Sequence, residues 1–450
     1  MQIVVGDSKN MPGSEIAGSG FSRRAAHVVA AVAWLGLLPV AAHGQVTGSL
    51  PRSSEWSGQS GASGHPEMTA EAIRAAAAGF RSCVAGMAGD AARRGVGRAA
   101  YERITAGLTP DLKIMDFMDS QPEFTRSFWD YLDMLVSDTR IERGRAMMAQ
   151  HRAAFDAAER NTGVDRYVVA AIWGIESNFG TTAGDRPVIR STATLACVGR
   201  RQAYFMDEFL AAVEIVARGD ISAERFRGSW AGAFGQTQFM PTTFKRHAVD
   251  ADGDGRRDVI GSVADAIAST SNNLHKAGWQ PGQTWGYEVV VPSDFDFRLA
   301  DRKTRLSVHD WQRRGIHRVA KRAFPRGSES GYMLVPAGIQ GPGFLMLNNF
   351  RVIMSYNPSE AYALAIGHLA DRMRGGGPFV QDWPRYERVL SRQDRLEMQQ
   401  HLARHGFDVG EPDGRLGSRT REAIRDFQRR AGQVPDGFAS ASVLDQLRGR

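Results

Sequence analysis

Cysteine is scarce in this chain, which has only Cys83 and Cys197 among its 450 residues. Two thiols supply neither the disulfide framework of a small secreted domain nor a structural four-cysteine zinc site. Charge of one sign is also scarce, because 56 Lys and Arg face 49 Asp and Glu, for a net charge of +7. This modest excess favours an acidic partner, such as nucleic acid, anionic lipid or cell-wall polymer, without choosing among them.

Long apolar runs are also missing, with one exception near the N-terminus. The run Ala25–Val40 follows Arg23 and Arg24, and small residues follow at Ala42 and Gly44. A basic start, a short apolar stretch and a small-residue exit are typical of a secretory signal peptide, here residues 1–44. The run is short for a membrane anchor, the alternative, which needs roughly 20 residues. We therefore expect export to the periplasm, without lipidation because no Cys lies directly after the run.

Export would place the two cysteines in an oxidising compartment. In an oxidising compartment Cys83 and Cys197 can form one disulfide that closes a long loop. Two buried free thiols are the alternative.

The remaining chain divides by its composition and periodicity. Residues 45–66 are rich in Gly and Ser and predict a flexible linker. Helical spacing of apolar residues dominates from residue 67, whereas short aromatic or β-branched segments predict a β subdomain at about 285–350. The predicted strands are Tyr287–Val291, Tyr332–Val335 and Phe344–Leu347. We therefore predict a mainly α (α+β) protein with a helical body over residues 67–385 and a three-helix module over 391–448.

A candidate general acid lies near the end of one predicted helix. The segment Val168–Phe179 has an apolar face, and Gly180 is a natural residue to follow its C-terminus. Glu176 lies in the last turn with Trp173 as a neighbour, where burial and the helix dipole both raise the pKa of a carboxyl group. Such a group suits general acid catalysis. A Glu turned to solvent or paired with an Arg is the alternative.

The segment Ser229–Pro241 combines small, amide and aromatic residues. Gln236 and Gln238 offer amides for a neutral polar substrate. The aromatic candidates for stacking on sugar rings are Trp230, Phe234 and Phe239. A tightly packed turn is the alternative.

An Asp-rich loop has the spacing of an EF-hand calcium loop. Hard oxygen ligands at this spacing suit Ca²⁺, and a metal-free loop of Asx turns is the alternative. The predicted ligands are Asp250, Asp252, Asp254, Arg256 (through its carbonyl), Asp258 and Asp265, the last replacing a glutamate that Gly261 cannot supply.

Four motifs together resemble the membrane-bound lytic murein transglycosylase B family. They are, in order, GIESNFG, SWAGAFGQTQFMP, DADGDGRRD and FRVIMSYNPSEAYALAIGHLAD. The resemblance covers about residues 67–385 and implies a lysozyme-like helical core with a small β subdomain. It implies that Glu176 alone serves as acid and base, cleaving between N-acetylmuramic acid and N-acetylglucosamine with formation of a 1,6-anhydro product. It further implies no cofactor for catalysis and a structural role for Ca²⁺.

The resemblance also implies a substrate cleft and partners. The implied cleft residues are Ser229, Gln238, Tyr356, Asn357, Arg200 and Arg201, the two arginines facing the acidic stem peptide. Residues 391–447 resemble a peptidoglycan-binding domain through the turns Pro412-Asp413-Gly414 and Pro435-Asp436-Gly437. The implied partners are glycan strands, stem peptides and cell-wall synthesis or division proteins; the protein is expected to be a monomer that binds no nucleic acid.

Two other functions stay open at this point. A hydrolytic muramidase would release reducing ends instead of anhydro ends. A non-catalytic wall-binding scaffold would keep the fold and cleave nothing.

Overall fold

The fold is described from a computed structural model that covers residues 55–61, 64–118 and 126–449. The predicted signal peptide lies outside these residues. Within these ranges, none of the helices combines the length and apolar character that crossing a bilayer requires.

Two groups of helices form the body of the protein. The first group is α1 (Ala70–Ala78), α2 (Phe80–Gly86), α3 (Ala88–Arg93), α4 (Arg98–Thr105) and α5 (Lys113–Met118), joined by α10 (Val188–Cys197), α11 (Gln202–Ala217) and α12 (Pro241–His247). The second group is α6 (Phe128–Leu135), α7 (Asp138–Gln150), α8 (Arg152–Thr162), α9 (Arg166–Ser177), α13 (Val263–Lys276), α15 (Asn348–Met354) and α16 (Glu360–Arg374). Each group encloses its own apolar core, with Phe209 and Phe226 in the first and Trp173 and Phe155 in the second.

The β subdomain follows the predicted strands closely. Its strands are β3 (Gly286–Val290), β4 (Leu306–Ser307), β5 (His317–Arg318), β6 (Ser330–Leu334) and β7 (Gly343–Met346), with the short helix α14 (Val308–Arg313) between β4 and β5. They form an antiparallel sheet in the order β4-β6-β7-β3-β5. One face packs on the second helical core through Phe344 and Met346, and the other packs on Trp311 and Phe297. This alternation along β7 is what a sheet buried on both faces requires.

A smaller pair of strands connects two loops of the body. They are β1 (Arg186–Pro187) and β2 (Arg227–Gly228), which pair antiparallel. The backbones approach closely, because a Cβ added at Gly184 would lie 2.4 Å from the carbonyl of Gly228. Gly184 also has φ of +87°, so glycine is required there on both counts.

The C-terminal module contains α17 (Arg392–Arg404), α18 (Ser418–Arg430) and α19 (Ala441–Leu447). The two Pro-Asp-Gly turns are held in the same way: a buried glutamine of the preceding helix forms a hydrogen bond with the backbone of the turn. The side chain of Gln399 accepts from the amide of Gly414 at 2.7 Å, and that of Gln428 accepts from Gly437 at 2.8 Å. The module also contacts the body, since Asp436 accepts from the amide of Ile339 at 3.0 Å.

One expectation about local structure needs correction, and the predicted disulfide is confirmed. The predicted flexible linker of residues 45–66 ends early, because Ser57 donates to Asp116 at 2.6 Å and Arg74 lies over the ring of Trp56. Residues 55–61 are thus held against the body. The cysteines are joined in a disulfide that links α2 to the end of α10, with a Cα–Cα distance of 6.0 Å.

Candidate active site

The helix that carries Glu176 ends two residues earlier than predicted. Helix α9 stops at Ser177, and Asn178 takes the left-handed conformation at φ 48° in place of the expected Gly180. The chain then turns back so that the Phe179 ring packs on the helix. An added Cβ at Gly174 would lie 2.6 Å from that ring, which explains why the last turn has a glycine. This early end leaves Glu176 half-buried in the last turn.

Two tyrosines surround the carboxyl group of Glu176. The hydroxyl of Tyr362, on the first turn of α16, donates directly to Glu176 Oε1. Burial, together with the negative charge of Glu176, raises the pKa of Tyr362 well above its usual range and also raises the pKa of Tyr356. Both hydroxyls therefore stay protonated at neutral pH. They are hydrogen-bond donors, and neither can act as a base.

Tyr362 was not among the predicted site residues. It is 3% exposed and lies 186 residues from Glu176, so only the packing of α16 on α9 brings the two together. A sequence indication did exist, because Ala361 and Ala363 flank it at the start of an apolar helix. Small neighbours let a second helix approach closely.

Glu360, the acidic residue nearest to Tyr362 along the chain, is bonded to residues other than Glu176. Glu360 accepts from Arg302 at 2.7 Å and from the hydroxyl of Tyr332 at 3.0 Å. These two contacts direct the carboxyl group of Glu360 toward Arg302 and Tyr332. It is therefore not placed as a second catalytic carboxyl beside Glu176.

The loop 228–239 lies against the end of α9. The amide Nε2 of Gln238 donates to Ala183 at 2.9 Å and to Gly235 at 2.9 Å, and Gln238 has a left-handed backbone at φ 51°. The hydroxyl of Ser229 accepts from Ala233 at 3.1 Å. Tyr356 donates to the carbonyl of Thr237 at 2.8 Å, which joins the α15–α16 connection to this loop. Three of the predicted cleft residues thus lie on elements that meet beside α9.

Asn357 and the arginine pair have other immediate contacts. Asn357 accepts from the amide of Ser359, the residue that caps α16. Arg200 donates to the carbonyl of Met118 at 2.8 Å, and Arg201 lies 4.4 Å over the ring of Tyr204. Asn357 therefore helps to position the Tyr362 helix, whereas the arginines face α5 and α11.

The expected stacking residues are mostly part of the core. Phe234 is 0% exposed and Phe239 is 1% exposed, so neither ring can meet a sugar. Trp230 remains partly exposed and lies 6.4 Å from the ring of Phe117. Of the three predicted aromatics, only Trp230 is accessible to a substrate.

The Asp-rich loop is only partly arranged as predicted. Carboxylate oxygens of Asp250, Asp252 and Asp254 lie within 4.8 Å of one another, a donor set that fits a hard cation. Asp258 instead pairs with Arg225 at 2.9 Å. Asp265 is 0% exposed and accepts from the amides of Ala251 and Asp258 at 2.7 Å each. Arg256 donates its own amide to Asp254 at 2.8 Å. Asp258 and Asp265 therefore hold the loop in place, whereas the carboxylates of Asp250, Asp252 and Asp254 and the carbonyl of Arg256 remain as candidate ligands.

Comparison with known proteins gives matches over both parts of the chain. Residues 79–371 match the model of the transglycosylase SLT domain, and residues 391–447 match that of the peptidoglycan binding domain. Membrane-bound lytic murein transglycosylase B of Escherichia coli K12 is 26% identical over 245 residues. That alignment covers 53% of this chain, and the chain spans 65% of the length of that relative.

Solved structures resemble the fold as a whole. SltB3 from Pseudomonas aeruginosa, in complex with NAG-anhNAM-pentapeptide, is 44% identical, with a TM-score of 0.77 over 82% of this chain and 99% of that chain. Slt35 from Escherichia coli, in complex with calcium, is 22% identical, with a TM-score of 0.57 over 70% of this chain and 95% of that chain. The second likeness concerns the fold alone.

Proposed function

This chain belongs to the family of the transglycosylase SLT domain, and from that premise we propose that it is a lytic murein transglycosylase. Its substrate is peptidoglycan, cleaved at the β-1,4 bond between N-acetylmuramic acid and N-acetylglucosamine. The observation that carries the proposal is the single carboxyl group of Glu176, oriented by Tyr362 at the end of a buried helix. The 44% identical SltB3, with its bound NAG-anhNAM-pentapeptide, supports the substrate class.

One carboxyl group is enough for this reaction. Glu176 first gives its proton to the glycosidic oxygen, and the C1–O bond of the muramoyl residue breaks. The C6 hydroxyl of the same residue then attacks C1, and Glu176 takes the proton from that hydroxyl. The nucleophile is already part of the substrate, so no water-activating base and no enzymic nucleophile are needed. Glycosidases that use water or an enzymic nucleophile need a second carboxyl group flanking the bond.

The surrounding residues suit a neutral saccharide. Ser229 and Tyr356 lie on the loops that meet at the end of α9, and we assign them to the cleft with Gln238 and Asn357. Trp230 supplies the accessible ring for a sugar face. Arg200 and Arg201 are assigned to the acidic stem peptide, on the side of α5.

The Asp-rich loop is proposed as a structural Ca²⁺ site held by Asp250, Asp252 and Asp254. The cation would neutralise three neighbouring carboxylates and stiffen the loop. It supplies no step of the reaction.

Location and partners follow from the remaining features. A disulfide between Cys83 and Cys197 favours an oxidising compartment, and with the N-terminal segment it supports the periplasm. The C-terminal module is proposed to bind peptidoglycan and so to raise the local substrate concentration for the cleft.

The test of the proposed function is digestion of purified peptidoglycan by the protein and by Glu176→Gln, with mass analysis of the products. We expect 1,6-anhydro products from the first and none from the second. Reducing muropeptides from the wild type would instead assign a hydrolase.

A further inference from the structure

Gln236 makes a set of contacts that neither substrate binding nor the sequence pattern explains. Its side chain is buried, at 7% exposure, so it cannot recognise a saccharide as the sequence suggested. The side-chain oxygen accepts from Trp173 Nε1 at 3.0 Å, and the side-chain amide donates to the carbonyl of Ile260 at 3.3 Å. Both ends of the amide are therefore used inside the protein.

The backbone of Gln236 also connects α9 to residues 259–260. Its carbonyl accepts from the hydroxyl of Ser177, and its amide donates to the carbonyl of Val259 at 2.9 Å. Two of the four bonds thus end on α9 and two end on residues 259–260. Trp173 lies three residues before Glu176 and Ser177 lies one residue after it, so the contacts bracket the proposed catalytic group.

The packing around Gln236 leaves no space for an alternative arrangement. A Cβ added at Gly180 would lie 2.7 Å from Gln236 Oε1, and one added at Gly235 would lie 2.7 Å from the carbonyl of Val259. Both glycines have positive φ, at +82° and +76°. The chain on both sides of the amide is therefore shaped to bring it between the helix and the loop.

The far end of this connection is the Asp-rich loop. Asp258 accepts from the amides of Ile260 and Gly261 at 3.0 Å and 2.7 Å. The peptide that receives the Gln236 amide is thus fixed by the last carboxylate of the loop. Tyr362 binds the carboxyl group of Glu176 itself, whereas Gln236 binds Trp173 and Ser177 on either side of it.

We infer that Gln236 is a positioning residue for Glu176: it joins the last turn of α9 to the peptide after the Asp-rich loop and so sets the direction of the carboxyl group. This inference rests on the proposed function. A displacement of about 1 Å at a reacting group can lower a rate about a hundredfold. Loss of Gln236 should therefore lower kcat much more than it changes KM.

The test compares three variants on a soluble muropeptide oligosaccharide. Gln236→Met keeps the volume and removes both side-chain bonds, and we expect kcat to fall about ten- to a hundredfold with little change in KM. Gln236→Glu can donate to Ile260 only when its carboxyl is protonated, so its kcat should recover toward wild type as the pH is lowered. Gln236→Met should not recover at any pH.

Asn349→Leu is the matched control for stability. Asn349 is 0% exposed and holds the backbone of Gln280 and Gln283 through three bonds, but these lie at the start of α15 and do not reach α9. We expect it to lower Tm as Gln236→Met does while kcat stays near wild type. Equal losses of kcat in the two variants, or a stable Gln236→Met with unchanged kcat, would overturn the inference.

Hydrogen exchange of residues 173–178 needs no turnover and gives an independent result. Exchange there should be faster in Gln236→Met and unchanged in Asn349→Leu. Unchanged exchange in Gln236→Met would refute the positioning role whatever the activity. Failure of the proposed function would show differently, as full activity in Glu176→Gln.

Discussion

The disulfide gives the most direct quantitative prediction about stability. Cys83 and Cys197 are 114 residues apart and connect α2 with the end of α10. In the chain-entropy model, a loop of this length lowers the entropy of the unfolded chain enough to stabilise the fold by about 5 kcal/mol at 25 °C. The double variant Cys83→Ala/Cys197→Ala should lose stability of that order.

Urea unfolding measures this loss. The wild type with a reductant should approach the midpoint of the double variant, and the reductant should leave the double variant unchanged. A loss below about 1 kcal/mol would refute the reasoning, because it would mean that the cross-link scarcely restricts the unfolded chain. A response of the double variant to reductant would show that the effect has another origin.

Three further predictions concern the site and its surroundings. Tyr362→Phe should lower kcat about tenfold or more with little change in KM, because a hydrogen bond to a charged group contributes about 1.5–3 kcal/mol. Steady-state kinetics on a soluble muropeptide measure this, and an unchanged kcat would contradict it. Burial raises the pKa of Asp371 from 3.8 to about 6, so its contribution favours folding below pH 3.8 and is lost as the pH rises through 6. Asp371→Asn stays neutral, so its stability relative to wild type should improve by about 2 kcal/mol between pH 4 and pH 7 in urea unfolding, and a constant difference would refute this. Calcium added to chelator-treated protein at about a hundredfold over its dissociation constant should add about 2.7 kcal/mol of stability, and an unchanged Tm would exclude the proposed site.

Local patterns were enough to predict the elements of this fold. The spacing in Val168–Phe179 predicted α9, and aromatic and β-branched segments predicted β3, β6 and β7 within two residues of their ends. The mainly helical class and the small antiparallel sheet are confirmed. These features depend on neighbours along the chain, which is why periodicity is informative about them.

The contacts around Glu176 were not predictable in the same way. Gln236 meets Trp173 across 63 residues, and Tyr362 meets Glu176 across 186. The sequence showed two glutamines in one motif but not that one amide is buried while the other joins two loops. Phe234 and Phe239 are likewise residue types that can stack on a sugar ring, and only their burial shows that they belong to the core.

The Asp-rich loop shows a third kind of limit. The spacing identified the acidic residues. It did not show which carboxylates are free to bind a cation and which make hydrogen bonds or ion pairs within the protein. Asp258 pairs with Arg225 from an earlier loop, and Asp265, in the first turn of α13, accepts from the backbone amides of Ala251 and Asp258. Three of the five predicted aspartates remain as candidate ligands.

The central claim is that Glu176 alone performs both proton transfers of an intramolecular cleavage. Mass analysis of products from purified peptidoglycan, digested by the wild type and by Glu176→Gln, tests it most directly. We expect muropeptides that end in 1,6-anhydro sugars from the wild type and no release of muropeptides from the variant. Reducing ends from the wild type, or undiminished release by Glu176→Gln, would contradict it.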